Sequence, residues 1–194
     1  MSSLRLSIIV AMTADNGIGF KNSLPWSLPN ELRNFAKLTK NCKDKSKQNA
    51  VVMGRNTWES IPAQHRPLKD RLNVVLSSTL KDAGEGVLVC PRLKDALTLL
   101  EENYQNKIEN VWIIGGARVY EDALNLSNCH KLHVTHIQEK PECDVFFPTI
   151  PRDFQIITTS EMVEENGFHY NYQVYERRTS PDGEANGIED STKS

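Results

Sequence analysis

At 194 residues the chain has room for one domain, a full sheet with helices on both sides of it. Its 23 Lys and Arg against 25 Asp and Glu leave a formal net charge of −2, which lacks the basic excess that general nucleic-acid or membrane-surface binding demands but leaves polyanionic small molecules open. The N-terminal apolar run is too short and wrongly flanked for a signal peptide or a membrane span, and Cys42, Cys90, Cys129 and Cys143 form no Cys-x-x-Cys pair, so a soluble cytoplasmic protein with free thiols is expected.

The first element is Leu6-Ser7-Ile8-Ile9-Val10-Ala11-Met12, which reads as a buried strand. It leads into Asp15-Asn16-Gly17-Ile18-Gly19, a glycine-hinged loop closed by Leu24-Pro25-Trp26. Phe20-Lys21-Asn22 follows in place of the third glycine of a dinucleotide fingerprint and no helix opens, so the loop reads as flexible and not as a phosphate turn. A short helix comes next, with Pro29 suited to N1. Leu28, Leu32 and Phe35 recur at helical spacing and are expected to face inward, which puts Glu31 on or beside the same face. A carboxylate there must be paired or must meet a ligand that pairs with it. Its plainer role is to complement the helix dipole in the first turn.

Lys40 through Asn49 is a Lys-rich polar link, expected to be a solvated loop. Val51-Val52-Met53-Gly54 is a short strand, and Arg55 to Ser60 is a helical turn stopped before Pro62, with Arg55 and Thr57 at a mouth suited to anions. The strand Leu72 to Leu76 ends in Ser77-Ser78-Thr79, at the carboxyl end where open α/β sheets hold ligands, although such residues also make ordinary polar turns. Val87 to Cys90 then leads through Pro91-Arg92 to a helix with Leu93, Ala96, Leu97 and Leu100 inward. This repeated strand-helix pattern predicts a largely parallel sheet. Its clearest instance runs from Val111 to Tyr120, where Gly115-Gly116 separates an apolar strand from a helix that opens at once. Paired glycines let backbone approach a phosphate at a helix N-terminus; a tight turn accounts for one glycine more easily than two.

The strand Leu132 to Ile137 carries His133 and His136 on opposite faces, and no zinc spacing is present, so no metal site is expected. After a turn around Pro141 and Asp144 to Pro148, the runs Phe154 to Thr159 and Phe168 to Tyr175 are joined through Glu164-Glu165-Asn166-Gly167 and predict an antiparallel hairpin. The domain is placed at residues 4–178, with 179–194 as a polar, acidic, disordered tail.

Gly17-x-Gly19 with Leu24-Pro25-Trp26, Glu31-Leu32-x-x-Phe35, Met53-Gly54-Arg55-x-Thr57-Trp58-x-Ser60-Ile61-Pro62, Arg66-Pro67-Leu68, Ile114-Gly115-Gly116 and Asp144-x-Phe146-Phe147-Pro148 together resemble the dihydrofolate reductases of the eukaryotic type. The resemblance runs from about Leu6 to Glu176. It implies a single α/β domain: a central, mixed, mostly parallel eight-stranded sheet, helices on both faces and a C-terminal antiparallel hairpin. It also implies a monomer that uses NADPH to reduce 7,8-dihydrofolate to 5,6,7,8-tetrahydrofolate. By the same resemblance Glu31 binds the pterin and serves its protonation, directly or through a water held with the help of Trp26, while Thr135 orients it. Ile9, Val10, Leu32, Phe35, Ile61, Leu68 and Ile114 would wall the substrate pocket. Arg71 would grip the glutamate carboxylate, although an arginine at a strand edge is as often exposed or locally paired. Ala11, Ile18, Gly19, Gly54, Arg55, Thr57, Ser77, Ile114, Gly115, Gly116, Ala117, Arg118, Val119 and Tyr120 would lie along NADPH, with a cis Gly115–Gly116 peptide. Ser78 is counted with the cofactor-binding residues, but many relatives carry Arg in its place, so here the 2′-phosphate would rest on Arg55, Ser77 and Arg92. The rival readings are a riboflavin-pathway or pterin reductase of the same fold class, and a non-catalytic folate- or RNA-binding relic, which should have lost the acid at position 31.

Overall fold

The computed structural model describes residues 4–178; the predicted tail at 179–194 lies outside the described residues. The elements are β1 (Leu6–Thr13), β2 (Gly17–Gly19), α1 (Pro29–Lys40), β3 (Gln48–Gly54), α2 (Arg55–Ser60), β4 (Arg71–Leu76), β5 (Val87–Cys90), α3 (Leu93–Tyr104), β6 (Ile108–Gly115), α4 (Ala117–Leu124), β7 (Cys129–Ile137), β8 (Val145–Phe146), β9 (Phe154–Thr159), β10 (Val163–Glu165) and β11 (Phe168–Arg177). The main sheet has the order β5-β4-β3-β6-β1-β7-β11-β10, parallel from β5 to β7 and antiparallel from there on. β9 joins the same edge as β10, pairing with the far half of β11, so nine strands occupy eight positions. The predicted hairpin is present. Its tight arm is β10, a strand the charged run Val163-Glu164-Glu165 had hidden, closed on β11 by Asn166-Gly167 at positive φ.

Alternation along the strands sorts the core into two layers. Leu6, Ile8, Val10 and Met12 of β1 join Leu93, Ala96, Leu100, Val119, Ala123 and Leu124 of α3 and α4. Ile9 faces the other way, with Val51, Met53, Trp58, Val75 and Trp112, against Phe35 and Leu38 of α1. Helices therefore cover both faces, as a buried parallel sheet requires. Chain order reverses about β1: β3, β4 and β5 run out to one side, while β6 inserts between β1 and β3 and β7 lies beyond. Ligand crevices of open α/β sheets form at such a reversal, outside the carboxyl ends of the strands.

Two segments expected to be free are tied down. The glycine-hinged loop is not simply flexible: β2 pairs with β8, and Phe147 N–H donates to Asn16 O at 2.7 Å, so a second small sheet holds the loop over β1. Sequence pattern could not show this, because both partners are short and lie about 125 residues apart. A Cβ at Gly17 would collide with Cys143 Sγ, so this position requires glycine for close approach. The Lys40–Asn49 link is solvated only in part. Cys42 is buried and Asn49 fully so, with Asn49 Nδ2 donating to Thr39 O at 2.9 Å and Asn41 O at 3.0 Å. Among the described residues no helix is long and apolar enough to cross a membrane.

Candidate active site

The carboxyl ends of β1, β3, β4 and β6 open into one cleft of about 2430 Å³, larger than the roughly 300–1,000 Å³ of a single-ligand pocket and long enough to hold two ligands together. Every residue named above for substrate or cofactor lines it except two. Thr135 and Trp26 lie behind the wall.

Glu31 is 6% exposed, on the inner face of α1. Thr135 of β7 donates its hydroxyl to Glu31 Oε1 at 2.9 Å. Burial pushes the Glu31 carboxyl above the usual range, the Thr135 hydrogen bond opposes that shift, and the charge of Glu165 adds to it. Among the described residues no cation lies at ion-pair distance from Glu31. A buried acid without a cation, open to a cleft, is poised for a ligand that donates to it. Trp26 is buried with Leu28, Ile137 and Tyr170, and its indole Nε1 has no acceptor among the described residues. Leu32 departs from expectation: it is 51% exposed, because α1 buries Glu31 and Thr39 while Leu32, about a quarter-turn on, stands at the cleft mouth.

Arg71 is not exposed, and among the described residues it has no acid at ion-pair distance. It begins β4, is 9% exposed, and donates Nη1–H to Thr39 Oγ1 and Nε–H to Lys69 O, each at 2.9 Å. These two bonds set the plane of the guanidinium and leave Nη2 without a partner among the described residues, at the end of the cleft lined by Lys40, Leu68 and Lys69. Burial lowers its proton affinity and the neighbouring Asp70 partly restores it.

At the other end β6 runs into α4 through Gly115 and Gly116, joined by a cis peptide. Gly115 has φ +119° and lies against Tyr120, where a Cβ would come within 3.2 Å of the hydroxyl. That hydroxyl donates to Ile9 O at 2.9 Å and ties α4 to β1 beneath the cleft floor. The N-cap of α4 is Gly116, with no side chain to occupy the first N–H groups. Uncapped donors bordered by glycine suit a diphosphate, and Ala117, Arg118 and Val119 stand around them. Farther along, Arg55 donates Nε–H to Glu59 at 2.6 Å and Nη1–H to Thr79 at 3.0 Å, with its side chain 46% exposed. Ser77 Oγ accepts from the Leu80 N–H at 3.0 Å, making an ordinary polar turn that also faces the cleft. Arg92 lines the cleft too, but its side chain is 76% exposed and its guanidinium is held by both oxygens of Asp95 at 2.9 and 3.0 Å.

Three contributors escaped the sequence reading: Glu165, Tyr172 and the Asn22-Ser23-Leu24 rim. Leu24-Pro25-Trp26 signalled the rim. Nothing local signalled Glu165, whose neighbours read as a solvated hairpin.

A crevice at the reversal of a parallel sheet, with free helix donors at one end and a cation-free buried acid at the other, defines a nucleotide-dependent α/β enzyme that also binds a polar heterocycle. Residues 5–177 match the family model described as dihydrofolate reductase. The chain is 46% identical over 183 residues to dihydrofolate reductase of Drosophila melanogaster, covering 91% of this chain and all of that one. It is 41% identical over 182 residues to the Rattus norvegicus enzyme, covering 89% and 97%. The solved Schistosoma mansoni dihydrofolate reductase superposes with a TM-score of 0.82 at 38% identity, over 91% of this chain and all of that chain. The chain belongs to the dihydrofolate reductase family: it reduces dihydrofolate to tetrahydrofolate, with NADPH as the hydride donor.

Proposed function

We propose that residues 4–178 form one catalytic domain, acting as a monomer in the cytoplasm, and that Glu31 is the acid on which dihydrofolate is held and protonated. The observation that carries this is the buried Glu31 carboxyl, bonded to Thr135 and without a cation, on the wall of a two-ligand cleft. A pterin ring presents an amino group and a ring N–H that one carboxylate can accept as a pair. Thr135 holds one oxygen in place, and burial raises the proton affinity of the carboxyl above that of an ordinary glutamate. Trp26 offers its unpaired Nε1–H to a water beside the acid. Ile9, Val10, Leu32, Phe35, Ile61, Leu68 and Ile114 keep the ring dry, which strengthens each polar contact made there. Arg71 takes the remote carboxylate of the glutamate, far from the reacting ring, where binding energy serves positioning.

NADPH would lie along Ala11, Ile18, Gly19, Gly54 and Thr57, with its diphosphate on the α4 N-terminus at Gly116 to Val119 and its 2′-phosphate among Arg55, Ser77, Ser78 and Arg92. The glycine-bordered donors of α4 fit that group. It supplies the hydride when bound. An assay of NADPH consumption with dihydrofolate and with an unconjugated dihydropterin tests the reading. Efficient turnover that needs the glutamate supports it; equal efficiency on both substrates would show a general pterin reductase.

A further inference from the structure

The helix that carries Glu31 begins on a residue that cannot cap it. Leu28 stands at the N-cap with no side-chain acceptor, and Pro29 has no N–H, so the first orphan donor is the Asn30 N–H. Its acceptor lies far off in sequence: Glu165 Oε1, on β10, at 2.8 Å. The other oxygen of Glu165 accepts from the hydroxyl of the fully buried Tyr170 at 2.9 Å, so the carboxylate is fixed at both ends. Asn166, in the adjoining turn, donates Nδ2–H to Ser27 O at 2.8 Å. The β10–β11 hairpin thus clasps the start of α1. It is also continuous with the strand bearing Thr135, since Tyr172 of β11 pairs with Thr135 of β7. One ladder therefore sets both the acid and the hydroxyl that orients it.

The charge of Glu165 matters as well as its bonds. Glu31 is faced by the Thr135 hydroxyl from β7, by Tyr120 from α4 and by Tyr172 from β11, both tyrosines kept neutral by burial. The formal charge acting on it is that of Glu165, from β10.

We propose that Glu165 is a positioning residue for the reduction: it caps α1 in trans so that Glu31 is aimed into the cleft, and it keeps a fixed negative charge beside that acid. The proposal rests on the assignment of Glu31 as the acid of the site. Like charges disfavour joint ionisation, so Glu165 holds the Glu31 proton to higher pH and extends the active range upward.

The test is the pH profile of hydride transfer, read as single-turnover loss of NADPH absorbance. Glu165→Gln keeps an acceptor for Asn30 and a donor for Tyr170 but removes the charge. Its rate should match wild type on the acid plateau and fall roughly threefold below it on the alkaline limb. Glu165→Ala, which removes the cap too, should also lose rate on the plateau and raise KM for dihydrofolate. Glu164→Gln, at a neighbouring acid whose side chain is 72% exposed, should leave the profile in place. A Glu165→Gln profile that superimposes on wild type at every pH overturns the proposal. Glu31→Gln separates the two readings. If it abolishes the pH-dependent rate while Glu165→Gln changes nothing, this proposal alone fails; if it keeps the wild-type profile, the role of Glu31 fails and takes the proposal with it.

Discussion

The two ends of the cleft are built on opposite plans. At the Glu31 end the groups come from elements far apart in the chain: Glu31 from α1, Thr135 from β7 and Trp26 from the loop before α1, all three buried, and Glu165 from β10, half-buried. At the phosphate end Arg55 and Arg92 are largely exposed, and each is already engaged by an acid three or four residues away. A buried, cation-free acid gives up its solvation to wait for one ligand, so its loss is severe. An exposed cation shared with a neighbouring carboxylate is screened by water, and its contribution is small. The fold thus gathers desolvated polar groups at the dry end and leaves the cations of the wet end solvated and locally paired.

The largest effect expected from this contrast is on Glu31→Gln, which should keep the fold and NADPH binding but lose roughly two to four decades in rate, the usual worth of a positioned acid. Steady-state turnover at neutral pH within a few-fold of wild type would erase the contrast at once.

Arg71 comes next, being the cation that the structure does bury. Arg71→Leu and Arg71→Lys should raise KM for dihydrofolate by a decade or more, about 1.5–3 kcal/mol for a lost charged hydrogen bond. Reduction of an unconjugated dihydropterin should be unaffected. A parallel loss on both substrates would mean that the bonds from Arg71 to Thr39 and Lys69 serve only to hold β4 to α1.

Arg55→Ala sharpens the wet end. Because Arg55 is half exposed and bonded to Glu59 and Thr79, its removal should weaken NADPH by only about 1 kcal/mol and leave NADH almost untouched. Titrating both cofactors by fluorescence decides this; equal losses would make Arg55 structural.

The smallest effect is on stability, and its sign follows from the raised proton affinity of Glu31. Between its unfolded and folded pKa the folded chain still holds a proton that the unfolded chain has released, so stability is lost as pH rises through that window and does not return above it. The ligand-free Glu31→Gln protein should therefore melt higher than wild type at about pH 8 and not at about pH 3.5, below the ordinary glutamate range. Scanning calorimetry at the two pH values checks it.

The strands and helices were legible because their signals are local. Leu6 to Met12, Val51 to Gly54 and Val111 to Gly115 are apolar runs of strand length, and the glycines at 115 and 116 mark the turn into α4. Glu31 was legible as misplaced, since an acid inside an inward stripe breaks the pattern a core helix obeys. Arg92 came from the resemblance alone: it lines the cleft as expected of a 2′-phosphate contact, and what no resemblance could show is that Asp95, three residues on, already holds its guanidinium. The strand β10 was hidden because a charged three-residue edge strand carries no period to read.

By itself, then, the sequence determined the kind of sheet, the places where the chain turns, the acid at position 31 and the membership of a reductase family. Tertiary structure alone decided that Arg71 is buried on Thr39 and Lys69 with no ion pair among the described residues, that β2 and β8 pin the glycine loop, and that Glu165 caps the helix of Glu31 from 135 residues away. The reason is the range of the forces involved. Backbone preference and hydrophobic period act over a few neighbouring residues and are written in their order, whereas the partner of a buried charge is whatever the packed fold brings within 3 Å of it.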